Sequence, residues 1–413
     1  MPRSRGPAET PAPDGILRLF EPEGRYDRLR LIQWWDQAKL KRARVLVVGA
    51  GAIGNEVLKN LALCGVGRLF IIDMDRIDLS NLSRTILFRD RDQGKKKSEV
   101  AAVTARAINP DVRAVALDGD VRTDLGLGLL RRMNVVVGAV DNLDARIFVN
   151  RVCWALGIPY VDGGTLGLSG QVRVVRPPEG SCYECTLSKA DYEHLQERVH
   201  CNLLTRADIG QGRFPTTSIA SSIIGAVQAQ KTIELLHGLP VPAGKAIVYG
   251  GQLLGGEHEM YMAGIDPREN EWHSHSRMER WTEIVEIPFS ARTLTFGRLL
   301  KRAEKDLGAG AVVDLRQSFV TGFDCRPCGL SRKAARHLVK STDREAVCNR
   351  CKTLMDPRIV HRVESGSAFE GWTLSRLGIP DFDILSVRNG TRTVYYELTR
   401  DIDRDPWKGS FRD

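Results

Sequence analysis

Short unbroken apolar runs punctuate the first half of the chain, each followed by glycine or by charged residues. "VLVV" (45–48) and "LFII" (69–72) are runs of this kind, the signature of parallel strands buried on both faces. Residues 44–73 therefore read as strand, glycine turn, helix, strand. A helix near 96–108, a strand at "VRAVALD" (112–118) and a strand at "NVVVGAV" (134–140) running up to Asp141 continue the alternation. A helix over roughly 144–157 then leads into "PYVDGG" (159–164). This β–α alternation predicts an α/β fold, a doubly wound and mostly parallel sheet. "FPTTSIASSIIGAVQAQKTIELLHG" (214–238) predicts a long helix whose small residues allow close packing, ended by Gly238. "KAIVYGG" (245–251) predicts a later strand.

The pattern changes near residue 266. "DPRENEWHSHSRMER" (266–280) is polar throughout; "TEIVEIPF" (282–289), a helix in "LTFGRLLKRAEKDLG" (294–308) and "AVVDL" (311–315) then form a β–α–β pattern. Residues 373–401 predict a short helical turn and two strands. The expected organisation is a disordered Pro-rich tail (1–15), a first domain (16–265) with a crossover loop at 186–215, a linker (266–282), and a smaller α+β domain (283–413) interrupted by a cysteine-rich insertion at 320–356.

Composition narrows the class without choosing the chemistry. Of 413 residues 42% are hydrophobic and 27% charged, as in soluble globular proteins. No apolar run approaches the ~18 residues of a membrane span, and the N-terminus lacks a signal-peptide core, so a cytoplasmic protein with no membrane association is expected. The net charge of +9 is spread along the chain, with short clusters only near 39–44 and 95–97. That distribution suits a polyphosphate ligand or an acidic protein at least as well as nucleic acid, and no nucleic-acid partner is expected. Six of the nine cysteines form CxxC pairs, which favours metal or catalytic thiols over disulfides.

Candidate chemistry gathers at the ends of the predicted strands. Gly49, Gly51 and Gly54 form GxGxxG directly after a strand and at a helix start, where backbone amides can meet phosphates. Asp73 closes the next strand, nineteen residues beyond Gly54, where a carboxylate can accept from ribose hydroxyls. A nicotinamide enzyme would share these features. Three later segments are more specific: "DMDRIDLSNLSR" (73–84), "GKKKSE" (94–99) and "AVDNLDAR" (139–146) put polar and cationic residues at successive strand ends. Arg84 and Lys97 can neutralise a triphosphate and Asp141 can hold Mg²⁺, a set that serves nucleotidyl transfer rather than hydride transfer. Lys97 taken alone would read as part of a solvated charge run; the joint spacing carries the weight.

These motifs resemble the adenylation domain of the ubiquitin-activating and molybdopterin/thiamine-pathway adenylyltransferase (ThiF/MoeB) superfamily over roughly residues 20–265. Its glycine loop, DxDxIxxSNLxR, GxxK and DN are matched by Gly49, Gly51 and Gly54, by Asp73, Asp75, Asn81 and Arg84, by Lys97, and by Asp141. Thr85 stands where glutamine is common in that family. "RYDR" (25–28) resembles the segment whose arginine, here Arg28, reaches the ATP phosphates of the partner protomer. The resemblance implies a Rossmann-like fold, a homodimer, and ATP with Mg²⁺ activating the C-terminal carboxylate of a small β-grasp protein as an acyl-adenylate.

The cysteines divide by context. Cys325, Cys328, Cys348 and Cys351 spell CxxC–x19–CxxC, the spacing of a Zn²⁺ ribbon. Cys182 and Cys185 form a CxxC that in the family shares zinc with a second CxxC; here the linker offers His273 and His275 instead, so a composite Cys₂His₂ site stands beside a degenerate, metal-free one. Cys201 lies where similar activating enzymes place their thioester-forming cysteine, and Arg198, His200 and Arg206 nearby would favour its thiolate. A zinc ligand or a small buried hydrophobe remains the alternative for Cys201. Cys64 and Cys153 fall on core-facing helices and read as packing residues. The ending of the chain resembles the ubiquitin-fold domain that recruits the conjugating enzyme, with the ribbon as a departure. The expectation is a compact, prokaryotic activating enzyme for a ubiquitin-like protein that passes it from Cys201 to a conjugating enzyme. An adenylyltransferase for a sulfur-carrier protein without an enzyme thioester, and an inactive regulatory partner subunit, are the alternatives.

Overall fold

The computed structural model describes residues 24–193, 216–251 and 259–400. Two short helices, α1 (Asp27–Arg30) and α2 (Gln37–Arg42), precede β1 (Arg44–Val48), α3 (Ala52–Leu63), β2 (Arg68–Asp73), α4 (Lys97–Ile108) and β3 (Arg113–Asp118). Then come α5 (Leu127–Arg131), β4 (Val135–Gly138), α6 (Leu143–Leu156), β5 (Tyr160–Leu166), β6 (Ser169–Val175), α7 (Ser218–His237), β7 (Lys245–Gly250) and β8 (Glu259–Gly264). The eight strands form one sheet in the order β3-β2-β1-β4-β5-β6-β7-β8. Pairs from β3 to β5 are parallel, with Val45 beside Leu69 and Val135, and the remaining pairs are antiparallel. The large mostly parallel sheet expected from the apolar runs is present.

The unbroken runs follow from having two cores. Val45 and Val47 point into one, with Val57, Leu58 and Leu61 of α3 and Ile224 and Ile233 of α7. Leu46 and Val48 point into the other, with Leu130 of α5 and Val149, Cys153 and Trp154 of α6. Each run therefore needs apolar side chains at odd and even positions alike. Small residues do what the long helix predicts: a Cβ on Gly225 would lie 2.5 Å from the Glu56 Cβ, so α7 packs directly on α3. Gly238 ends α7 at φ +75.

The second unit holds β9 (Ile284–Ile287), α8 (Phe296–Leu307), β10 (Val312–Asp324), β11 (Ser331–His337), α9 (Asp343–Ala346), β12 (Asp356–Glu364), β13 (Ile384–Asn389) and β14 (Arg392–Leu398). Its sheet runs β11-β10-β13-β14-β9, with β12 also on β10. The first and last strands pair in parallel, as expected of a β-grasp-like unit. Phe296, Leu299, Leu300, Ala303 and Leu307 form the buried face of α8 against Val313, Val387 and Tyr396. The cysteine-rich stretch is continuous with this sheet: β10 runs unbroken to Asp324, and β11 and β12 flank it.

The two units meet backbone to backbone. A Cβ on Gly126 would lie 2.3 Å from the Asp381 carbonyl oxygen, and one on Gly128 would lie 2.6 Å from that of Phe382. Gly128 N–H donates to the Phe382 carbonyl at 2.7 Å, and Leu127 N–H donates to Asp383 Oδ1 at 3.0 Å. Arg316 donates to the same Asp383 oxygen at 2.7 Å, while Arg131 and Arg132 both reach the fully buried Glu397. No described helix is long and apolar enough to cross a membrane.

Candidate active site

Strand order reverses around β1, which lies between β2 and β4. The turn after β1 and the loop after β4 therefore open side by side at the carboxyl edge of the sheet, where such folds bind ligands. Three glycines shape the turn for different reasons. Gly49 has φ +95, and a Cβ there would lie 2.5 Å from the Ala139 carbonyl oxygen. A Cβ on Gly54 would lie 2.0 Å from the Gly49 carbonyl oxygen. Gly51, the N-cap of α3, faces open space, with nothing within 4 Å of an added Cβ. Two of the glycines serve packing; the third leaves room beside helix N-terminal amides, where an anion is favoured.

Asp73 does more than the sequence suggests. Its Oδ2 accepts from Ala50 N–H and its Oδ1 from Asp75 N–H, both at 2.7 Å, so it ties the glycine turn to the end of β2. Asn55, which motif spacing does not single out, grips the turn from within the protein. Its amide donates to the Ala50 and Gly51 carbonyls at 2.7 and 3.0 Å, and its Oδ1 accepts from Leu87 N–H at 2.8 Å. A polar residue directly after the last glycine, on a helix that the structure buries completely at this point, is its only signal in the sequence.

Lys97 opens α4 and places Nζ 2.8 Å from Asp75 Oδ2, with only 12% of its side chain exposed. Burial works to discharge this ammonium, but the carboxylates of Asp73, Asp75 and Asp141 outweigh it and hold its pKa above the ordinary lysine value. Burial in turn pushes the Asp73 carboxyl up, against the pull of Lys97 and of its two amide donors. Asp141 is exposed in the loop between β4 and α6. Asn81 Oδ1 accepts from Asp78 N–H at 3.1 Å and closes a tight turn, from which half-buried Arg84 donates to the Ser80 carbonyl at 2.6 Å. Thr85 is buried and donates to the Asn81 carbonyl at 2.9 Å. Asp73, Asp75, Lys97 and Asp141 thus surround one opening, and three hard carboxylates beside one cation suit a Mg²⁺-bound polyphosphate.

Arg28 is not brought to this opening. It is exposed on α1, whose neighbour Tyr26 bonds Asn109 and Asp111 beyond the C-terminal end of α4, at the opposite edge of the sheet. Cys201, with Arg198, His200 and Arg206, lies outside the described residues. Cys153 is fully buried in α6, and Cys64, partly buried, caps the end of α3.

Among the described residues, two four-donor clusters lie apart from the strand ends around the opening. In the first, Cys182 Sγ is 3.8 Å from Cys185 Sγ, His273 Nε2 is 3.5 Å from both sulfurs, and His275 Nδ1 is 3.3 Å from Cys185 Sγ. A tetrahedral zinc with ordinary bond lengths requires about 3.8 Å between sulfurs and about 3.6 Å from sulfur to nitrogen. Asn270 Oδ1 accepts from the His273 backbone N–H at 2.7 Å and fixes the main chain there, and the Trp154 ring packs edge-on to the His275 imidazole. In the second cluster Cys325 Sγ is 3.3 Å from Cys351 Sγ, and Cys328 Sγ is 3.6 Å from Cys348 Sγ. Two matching knuckles carry them: Gly329 N–H donates to the Cys325 carbonyl and Lys352 N–H to that of Cys348, with φ +68 and +63. Both donor sets fit zinc.

Residues 24–271 match the ThiF family model. The sulfur carrier protein adenylyltransferase of Thermus thermophilus is 34% identical over 52% of this chain and 76% of its own length. The sulfur carrier protein ThiS adenylyltransferase of Escherichia coli is 31% identical over 52% and 81%. SUMO-activating enzyme subunit 2 of Dictyostelium discoideum is 41% identical over 36% of this chain, but the match spans only 22% of that protein. Among solved structures, E. coli MccB with AMPCPP and MccA aligns over 60% of this chain and 72% of its own at a TM-score of 0.48 and 25% identity. The chain belongs to the ThiF family.

Proposed function

We propose that this chain activates the C-terminus of a ubiquitin-like protein with ATP, captures it as an enzyme thioester and passes it to a conjugating enzyme. The observation that carries the first step is the opening itself: free space at Gly51, with Lys97, Asp73, Asp75 and Asp141 around it. The helix N-terminal amides, Lys97 and Arg84 would hold the phosphates, Asp141 and Asp75 would hold Mg²⁺, and Arg28 would enter from the partner protomer of a homodimer. A bound Mg²⁺ offsets charge on the phosphates. The incoming carboxylate is already a nucleophile, so the site supplies alignment and charge neutralisation: it attacks the α-phosphorus, the bond to the β-phosphate bridge breaks, and pyrophosphate leaves. The Cys201 thiolate then attacks the acyl carbon and AMP departs, leaving the thioester. Zinc at Cys182, Cys185, His273 and His275 would fasten the segment after β8 to the first domain, and zinc at Cys325, Cys328, Cys348 and Cys351 would hold the two knuckles together.

A second reading has its own support. The two sulfur-carrier adenylyltransferases match over most of their length, which favours adenylation without an enzyme thioester. Incubation with ATP and the cognate carrier, followed by a non-reducing gel, separates the readings. A thiol-sensitive adduct lost in Cys201→Ala supports activation with a thioester; adenylate without adduct supports the sulfur-carrier role. Neither product would make the chain an inactive partner subunit. Asp141→Ala removes ATP–pyrophosphate exchange under both active readings, and full exchange in that variant overturns the metal assignment.

A further inference from the structure

Arg146 closes the segment "AVDNLDAR" and lies in the first turn of α6, with its guanidinium tucked beneath the loop that carries Asp141. Nη2 donates to the Val140 carbonyl at 2.6 Å and to the Gly163 carbonyl at 3.0 Å, and Nη1 donates to Asp162 Oδ2 at 2.7 Å. Asp162 is itself buried and accepts from Tyr160 O–H at 2.8 Å. The fork thus binds the β4–α6 loop to β5, two strands out from the glycine turn.

Every neighbour of Asp141 is pinned. Ala139 N–H donates to the Val48 carbonyl at 2.8 Å, and Gly49 packs against the Ala139 carbonyl. Asn142 Oδ1 accepts from Ala145 N–H at 2.8 Å and caps α6. Val140 is held by Arg146, and Asp141 alone is exposed between them. The Asp141 carboxylate feels Lys97 through charge alone and makes no hydrogen bond among the described residues, so its backbone sets its orientation. Resting on the activation reading above, we propose that Arg146 is the positioning residue that aims the Asp141 carboxylate at metal-bound ATP. It does so through the Val140 carbonyl, and it touches neither metal nor nucleotide. Arginine suits the task because its planar donors engage two carbonyls and a carboxylate together, which a lysine ammonium cannot match in direction.

Removing Arg146 alone would strand a buried charge on Asp162. The test therefore pairs Arg146→Met with Asp162→Asn, whose amide oxygen can still accept from Tyr160, and adds Arg146→Lys and Asp141→Ala. Mn²⁺ uptake in the presence of ATP is read from the free-ion electron paramagnetic resonance signal, alongside metal-free ATP affinity, circular dichroism and thermal melting. The double variant is expected to stay folded and keep its metal-free ATP affinity, yet to need at least about tenfold more Mn²⁺ for half-occupancy, with Arg146→Lys between it and the wild type. An unchanged Mn²⁺ midpoint in the folded double variant overturns the inference, as does an equal loss of metal-free ATP affinity. If the double variant does not fold, Arg146→Lys decides by the same readouts. A wild-type chain that takes up no Mn²⁺ with ATP overturns the activation reading itself. Uptake lost in Asp141→Ala but intact in the double variant removes the role of Arg146 alone.

Discussion

Gly51 and Gly54 stand three residues apart in one motif, yet they should fail in opposite ways. An alanine at 54 would set its Cβ 2.0 Å from the Gly49 carbonyl oxygen, about 1 Å inside the closest approach real Cβ atoms make. Backbone must move, because no flexible side chain can yield there. Overpacking of this kind costs about 1–3 kcal/mol, which lowers the melting temperature by about 2 °C or less per kcal/mol in a chain longer than about 250 residues. A shift of about 1 Å in the turn also misplaces the phosphates, enough to slow exchange by about 100-fold. Gly51 has φ −75 and ψ −156, an extended backbone with negative φ at the edge of the β region, and open space beyond it. Gly51→Ala should therefore melt within a few degrees of the wild type while its methyl occupies phosphate space. A loss of about 1.4 kcal/mol of binding would raise the KM for ATP about tenfold. Thermal melting and ATP–pyrophosphate exchange on both variants test the pair. A Gly51→Ala enzyme with wild-type KM, or a Gly54→Ala enzyme with wild-type melting temperature, refutes the division of labour.

Elemental analysis should find two zinc ions per chain, with one lost in Cys182→Ser or His273→Ala and the other in Cys348→Ser; a single zinc in the wild type would rule out the composite site. Asn55→Leu leaves the Leu87 N–H and the Ala50 carbonyl buried without partners, so urea unfolding should show a loss of about 3 kcal/mol or more, and wild-type stability would contradict the bonding described. Gly128→Ala places a methyl 2.6 Å from the Phe382 carbonyl oxygen and should raise protease sensitivity between the two units, while metal-free ATP affinity, set on the far side of β1, stays unchanged.

Legibility in the sequence tracks burial. Strands β1 to β5 stand out because two cores claim both of their faces. β6 is hidden because only Val172, Val174 and Val175 are buried, and a glycine-rich turn obscures that short alternation. β8 has no core to declare: Met260, Tyr261 and Met262 are all exposed, and main-chain pairing to β7 holds it. β11, "SRKAARH", reads as a solvated charge run, and only its pairing with β10 makes it a strand. Within the site, motif spacing finds Lys97, Asp73 and Asp75, whose side chains end at the opening. It includes Arg146 in "AVDNLDAR" and sets Asn55 beside the last glycine, but does not show that both work from behind on main-chain atoms. Arg28, expected at a partner protomer's phosphates rather than its own, lies at the far edge of its own sheet.

The contact at Gly126 and Gly128 has a mechanical consequence. Where helices or sheets meet through side chains, one unit can roll on the other by exchanging rotamers. Here main chain lies on main chain at the two glycines: Gly128 N–H bonds the Phe382 carbonyl, while Leu127 N–H bonds the buried Asp383 side-chain carboxylate. Side chains close the seam around it: Phe382 and Ile384 share a core with Leu127 and Leu130, and Arg131 and Arg132 reach Glu397. The second sheet thus meets the first unit at α5, which in chain order lies between β3 and β4, the strand that leads into the Asp141 loop. An insertion or substitution at this seam therefore has little room to be absorbed, because a Cβ on Gly126 or Gly128 would meet main-chain oxygens of the other unit.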